Sequence, residues 1–295
     1  MVKQLIGRGA LSGAIAGLIT FVFARIFAEP VISKAIDYES GRDDATIQLA
    51  HQHLLPAGYP VPGAGPDIFS RTTQMDVGIL CALVLFGAAM GALVAVAFTI
   101  AIGRVGRVRP FQLALLVPAF FFVGVYAVPF AKYPANPPAI GHEDTIRDRG
   151  ALYLVCVFCS CLFLFLAVYF GQKLHQRLSL YASVLIVGAA YVAAMGVVFA
   201  LEPSLGHLAY NQAHFGNHAT ETPQPIYSPD GKLLFPGFPA DLLAQFRIYS
   251  VFAQVLLWGG IALMFAPQAQ RLLDPAAAKA GKEARFVDDH TPVAV

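Results

Sequence analysis

Six stretches of this chain carry almost nothing but apolar side chains, at 9–28, 77–102, 111–130, 151–170, 180–201 and 248–265. A helix needs about 20 such residues to cross a hydrocarbon core of roughly 30 Å, and backbone groups in lipid must bond within their own segment. Polar segments separate the runs, short at 103–110 and 171–179 and longer at 29–76, 131–150 and 202–247. The pattern predicts an all-α integral membrane protein, a bundle of six transmembrane helices whose two long loops, 29–76 and 202–247, contain short amphipathic helices. Residues 1–270 are expected to form one polytopic membrane domain, with 271–295 a disordered tail.

Charge then orients the bundle. The N-terminus, the two short loops and the tail hold 11 Lys and Arg in 55 residues, whereas the three longer loops hold 8 in 114. By the positive-inside rule the first set is cytoplasmic, with Arg104, Arg107, Arg109, Lys173 and Arg177 as the clearest retention charges. Both termini are therefore expected in the cytoplasm, the first run serving as an uncleaved anchor. Hydrophobic residues are 57% and charged residues 13% of the chain, well below the ~25% charged of a soluble domain. A net charge of +2 without a basic stripe excludes a nucleic-acid partner.

Glycines recur every fourth residue at Gly9, Gly13 and Gly17 and again at Gly87 and Gly91, a spacing that lets helix backbones approach closely in lipid. Gly7-x-Gly9-x-x-x-Gly13 misses the dinucleotide fingerprint, and no strand precedes it. The chain has no P-loop, so energy coupling must come from a partner or an ion gradient.

Chemistry is concentrated on the longer, outer loops. Glu29-Pro30 and Glu202-Pro203 stand at the outer ends of the first and fifth runs, with Pro30 expected to start a new helix. Asp44, Gln48 and His51 share one helix face, with His53 just beyond. His207, Asn211, His214 and His218 fall at i, i+4, i+7 and i+11, which on a continuous helix forms one stripe; His214 and His218 alone have the spacing by which two imidazoles grip a metal, although Gly216 between them can end the helix. Imidazole with carboxylate suits cobalt, nickel or zinc better than magnesium or calcium. Glu29, Glu202, His207, His214 and His218 are therefore the leading candidate ligands. His51, His53, His142, Cys156 and Cys159 are secondary ones. Arg25, one turn before Glu29, is expected to pair with it or to snorkel. No nucleophile with a base is evident, so an enzyme is not expected, and no tightly bound cofactor is indicated.

Three segments carry a resemblance: AEPVISKAIDYE at 28–39, KYPANPPAIGHEDTI at 132–146 and FPGFPADLLAQFR at 235–247. The sequence resembles the CbtA family, proposed cobalt transporter subunits, usually described with five spans against the six counted here. The resemblance implies a subunit of the bacterial inner (cytoplasmic) membrane for cobalt uptake linked to cobalamin supply, beside a small CbtB-like membrane partner bearing a histidine motif. It supplies no ligand set, so the candidates above stand on their chemistry alone. A non-conducting scaffold for a metal-delivering partner is the alternative, and self-association is compatible with either. The bilayer itself is the remaining expected partner.

Overall fold

The computed structural model describes residues 1–55, 58–63, 69–106, 108–218 and 220–273. Arg107 and the tail beyond Leu273 lie outside the described residues. In chain order the elements are α1 (Val2–Phe23), α2 (Glu29–His51), α3 (Arg71–Thr73), α4 (Ile79–Ala101), α5 (Pro110–Phe121), α6 (Val128–Lys132), α7 (Ile146–His175), α8 (Leu180–Leu201), α9 (Ala209–Phe215), β1 (Ile226–Tyr227), β2 (Leu233–Phe235) and α10 (Ala240–Leu273). The two short strands form one antiparallel pair. Six helical runs are long and apolar enough to cross a membrane, matching the six hydrophobic stretches.

Proline shapes how the runs end. The expected start of a separate helix at Pro30 is not a break, because α1 joins α2 through a wide π turn at Ala24–Ala28. Proline has no N–H to return to the preceding turn, and a locally widened helix accommodates that loss. Another π turn, Phe122–Ala127, precedes Pro129. There the carbonyl of Val125, four residues before Pro129, accepts the Tyr153 hydroxyl at 3.1 Å. A side chain thus satisfies the acceptor that proline leaves open.

The residues gather into two compact units. The first comprises Met1–Phe21, Leu80–Phe122 and the chain from Gln254 on. Leu5, Val94, Phe98, Leu113, Leu257, Ile261 and Phe265 form its core. Phe98 meets Phe265 edge-on at 5.4 Å, and Phe121 stacks on Trp258 at 5.9 Å. The glycine stripes meet face to face: a Cβ at Gly13 would overlap the Gly87 carbonyl oxygen, and one at Gly9 or Gly91 would overlap the backbone of the other. Backbone contact of this kind is what holds helices together in a solvent as apolar as their own side chains.

The second unit comprises Val22–Ile79 and Val123–Ala253 and contains the longer loops. Within it α7 and α8 pair through the Ser160–Tyr191 hydroxyl bond at 2.8 Å and the apolar cluster of Tyr133, Cys156 and Met195. Helix α2 adds about 35 Å of helix beyond the first apolar run. One side of it buries Val31 and Ala35 against Ile140 and Leu242, with Tyr38 against Phe238. The opposite side exposes Asp44, Gln48 and His51 together, as their spacing predicts. The helix is therefore packed against the other long loops along its length.

Candidate functional site

The polar chemistry of the second unit is built from the ends of its helices and the two segments 131–149 and 202–247. The proline-rich segment begins at Lys132, whose ammonium donates to the carbonyls of Phe199 at 2.6 Å and Glu202 at 2.8 Å. A lysine there satisfies carbonyls left open at the C-terminus of α8, where a positive charge also suits the helix dipole. Tyr133 donates to the Pro203 carbonyl at 2.9 Å. Its phenol is pushed well above the usual range, first by burial and then by the Glu202 carboxylate. Both carboxylate oxygens of Glu202 are buried. They lie in electrostatic reach of Lys132 and of the Cys156 thiol, and Cys159 packs against the same cluster. The structure thus brings Glu202, Cys156 and Cys159 into one neighbourhood, although their sequence positions lie far apart.

A second neighbourhood centres on Glu221, which is fully buried. Its Oε2 meets Arg149 Nε at 2.6 Å. Its Oε1 accepts from the Thr145 hydroxyl and from the Asn211 amide at 3.3 Å. Arg149 also donates to the His142 carbonyl at 3.1 Å. It passes against Gly141, where φ is +137° and a Cβ would come within 2.7 Å of the guanidinium. Any other residue there would be strained in backbone and would collide with Arg149. Arg42, buried on α2, donates to Gln224 O at 2.7 Å and Tyr59 Oη at 2.8 Å, tying α2 to the 202–247 segment. Neither Glu221 nor these arginines carried any local sequence signal.

The histidine stripe does not exist as one helix. A single 3-10 turn, Leu205–His207, precedes α9, and Gly216 at φ +72° ends α9 before His218. His207 is exposed and bonded to Ser204 at 2.5 Å, and His214 is exposed with its Nδ1 3.0 Å from the Tyr210 carbonyl. Asn211 points inward to Glu221 and the Leu205 carbonyl. His218 instead lies in electrostatic reach of His142. Both ring nitrogens of His218 are buried without a hydrogen-bond partner. His142 stacks on Phe215 with centroids 4.3 Å apart and planes 8° from parallel. His51 and His53 are exposed at the end of α2. Glu29 is 2% exposed and paired with Arg71, while Arg25 pairs with Asp76 at 2.7 Å and not with Glu29 as its spacing suggested. Among the described residues, no three His, Cys, Asp or Glu side chains converge in a metal-holding group.

His142 gives a pH prediction for the metal-free protein. Burial, then His218, Arg42 and Arg149, lower its pKa from 6.5 to about 4, against a smaller opposing pull from Asp144. The unfolded chain therefore takes up a proton near 6.5 that the folded chain refuses until about 4. Stability is lost as pH falls through that window, and this contribution changes no further below it. Thermal melts at about pH 7 and about pH 5 should show a smaller drop for His142→Gln than for the parent; an equal drop would remove His142 as the cause.

A cavity of about 50 Å³ opens beside these neighbourhoods, lined by Lys132, Asn136, Ser204, Thr220, Glu221 and Arg247 among others. Arg247 donates to Ala135 O at 3.2 Å and Asn136 Oδ1 at 3.1 Å, holding the proline-rich segment against the start of α10. What the site offers is therefore Glu202 near the thiols of Cys156 and Cys159, His142 in electrostatic reach of His218, and a polar cavity. No curated protein and no solved structure matches the chain. Residues 2–270 match the family model described as "Probable cobalt transporter subunit (CbtA)", and the chain belongs to that family.

Proposed function

We propose that this chain is the multi-pass inner-membrane subunit of an uptake system for a divalent transition metal, cobalt as substrate, serving cobalamin supply. Its loop face is outward, its termini cytoplasmic, and its partner is a small CbtB-like subunit with a histidine motif. The observation that carries the reading is that both ring nitrogens of His218 are buried and unpaired, with His142 in electrostatic reach. Unprotonated imidazole is a good ligand for cobalt, and a buried nitrogen without a partner is a cost that a bound cation would offset. Two imidazoles make only half of a site. The partner's histidines would complete it, which accounts for a transporter built from two kinds of subunit. Glu202, with the Cys156 thiol in electrostatic reach, offers the ion its next contact.

A second reading, a non-conducting scaffold, is favoured by one observation: no Asp or Glu lies near the middle of any of the six apolar runs. Reconstituted vesicles separate the two. Labelled cobalt uptake is expected with chain and partner together, falling to background in His142→Ala/His218→Ala and dropping severalfold in Glu202→Gln. Metal binding without uptake in the reconstituted pair would establish the scaffold. Neither binding nor uptake would overturn both.

A further inference from the structure

The cavity beside Arg247 has the wrong charge for a bare metal ion. Its lining holds two cations, Lys132 and Arg247, and one carboxylate, Glu221. That carboxylate already has its own counter-ion in Arg149 and two neutral donors in Thr145 and Asn211. The acceptors bonded to Lys132 and Arg247 are all neutral: the carbonyls of Phe199, Glu202 and Ala135, and the Asn136 amide oxygen. Lys132 has the Glu202 carboxylate in electrostatic reach, but Glu202 is not among the residues that line the cavity. Arg247 has no carboxylate within ion-pair distance among the described residues. A guanidinium held by two neutral oxygens on a loop still has donors in a fixed planar fork, the geometry that matches a carboxylate or phosphate.

From this charge imbalance we infer that the cavity binds a small oxyanion, a single carboxylate or phosphate group, between Arg247 and Lys132. Ser204 and Thr220 also line the cavity, their hydroxyls engaged with His207 and Thr222, and Asn136, whose oxygen faces Arg247, keeps its amide nitrogen as a further donor. The size fits. A volume of about 50 Å³ is several times the roughly 10–15 Å³ one water requires and far below that of a nucleotide site. The oxyanion can arrive free or as the carboxylate of a metal chelate. The inference stands apart from the transport reading, because it concerns charge in this cavity and not the imidazole pair.

The test is equilibrium dialysis of the full chain in lipid nanodiscs with labelled inorganic phosphate and with labelled citrate. Saturable binding of one equivalent, weakened by added chloride salt, is expected. Arg247→Gln should weaken it by about tenfold or more, the usual scale for losing a charge-assisted hydrogen bond. Asn136→Asp serves as a second variant should Arg247→Gln fail to fold: it keeps a partner for the guanidinium while cancelling its charge, and should weaken binding as much. Citrate binding equally well with and without cobalt assigns the site to free oxyanion, and tighter binding of the cobalt complex assigns it to a chelate. Absence of saturable binding for either anion, or binding that both variants leave unchanged, would overturn the inference. No cobalt uptake enters the measurement, so its failure and that of the transport reading are told apart.

Discussion

Replacing Gly13 by leucine is expected to prevent α1 and α4 from packing, with a loss of about 3 kcal/mol or more and little monodisperse protein recovered in detergent. A Cβ at this position would overlap the carbonyl oxygen of Gly87 and stand 3.0 Å from the Gly91 Cα. Those atoms are backbone, so no rotamer change makes room, and the helices must separate. Separation removes the adjoining contacts at Gly9 and Gly17 as well, since each also leaves no space for a side chain. In water the burial of added methylenes would offset part of this, but lipid tails offer the leucine an equally good solvent. Gly188 on α8 supplies the control, because a Cβ there meets nothing within 4 Å. Gly188→Leu should be recovered and melt like the parent. Equal behaviour of the two variants would mean that the close approach of α1 and α4 is not what holds the first unit together.

Those glycines were legible in the sequence because spacing at four residues is a local property that helix geometry carries directly into space. The six spans were legible for a similar reason, since lipid imposes length and polarity on each segment separately. The site was not. Arg25 has Glu29 one turn away on its own helix, yet its partner is Asp76, brought in by the start of the next span. The histidine stripe needs a helix through Gly216, which instead takes φ +72° and ends α9 before His218. Glu221 sits in a stretch with no periodicity, and its burial is decided by Thr145 and Arg149, more than seventy residues earlier. Such positions are fixed by which loops meet, a property no window of sequence contains. Of the candidate ligands, Glu29 is buried and the carboxylate oxygens of Glu202 and ring nitrogens of His218 are covered, while His51, His53, His207 and His214 are exposed.

Arg149→Met should cost about 3–5 kcal/mol, because it strands a carboxylate with no access to water. Glu221 is 0% exposed and the Arg149 side chain 26% exposed, so removing the guanidinium leaves the charge only Thr145 and Asn211 as neutral donors. Glu221→Gln alone should cost less, since it removes the charge and keeps a group that both donors can still serve. The double variant Arg149→Met/Glu221→Gln is therefore expected to be more stable than Arg149→Met itself, a sign reversal that distinguishes a stranded charge from a simple loss of packing. Chemical melts of the four proteins in one detergent measure it; additive losses would show that the pair is not coupled. The consequence reaches His142 and the segment around Asn211. Arg149 also holds the His142 carbonyl, and Glu221 holds Asn211 on α9. Under the transport reading proposed above, loosening this pair should lower cobalt uptake in the single Arg149→Met variant more than in the double one.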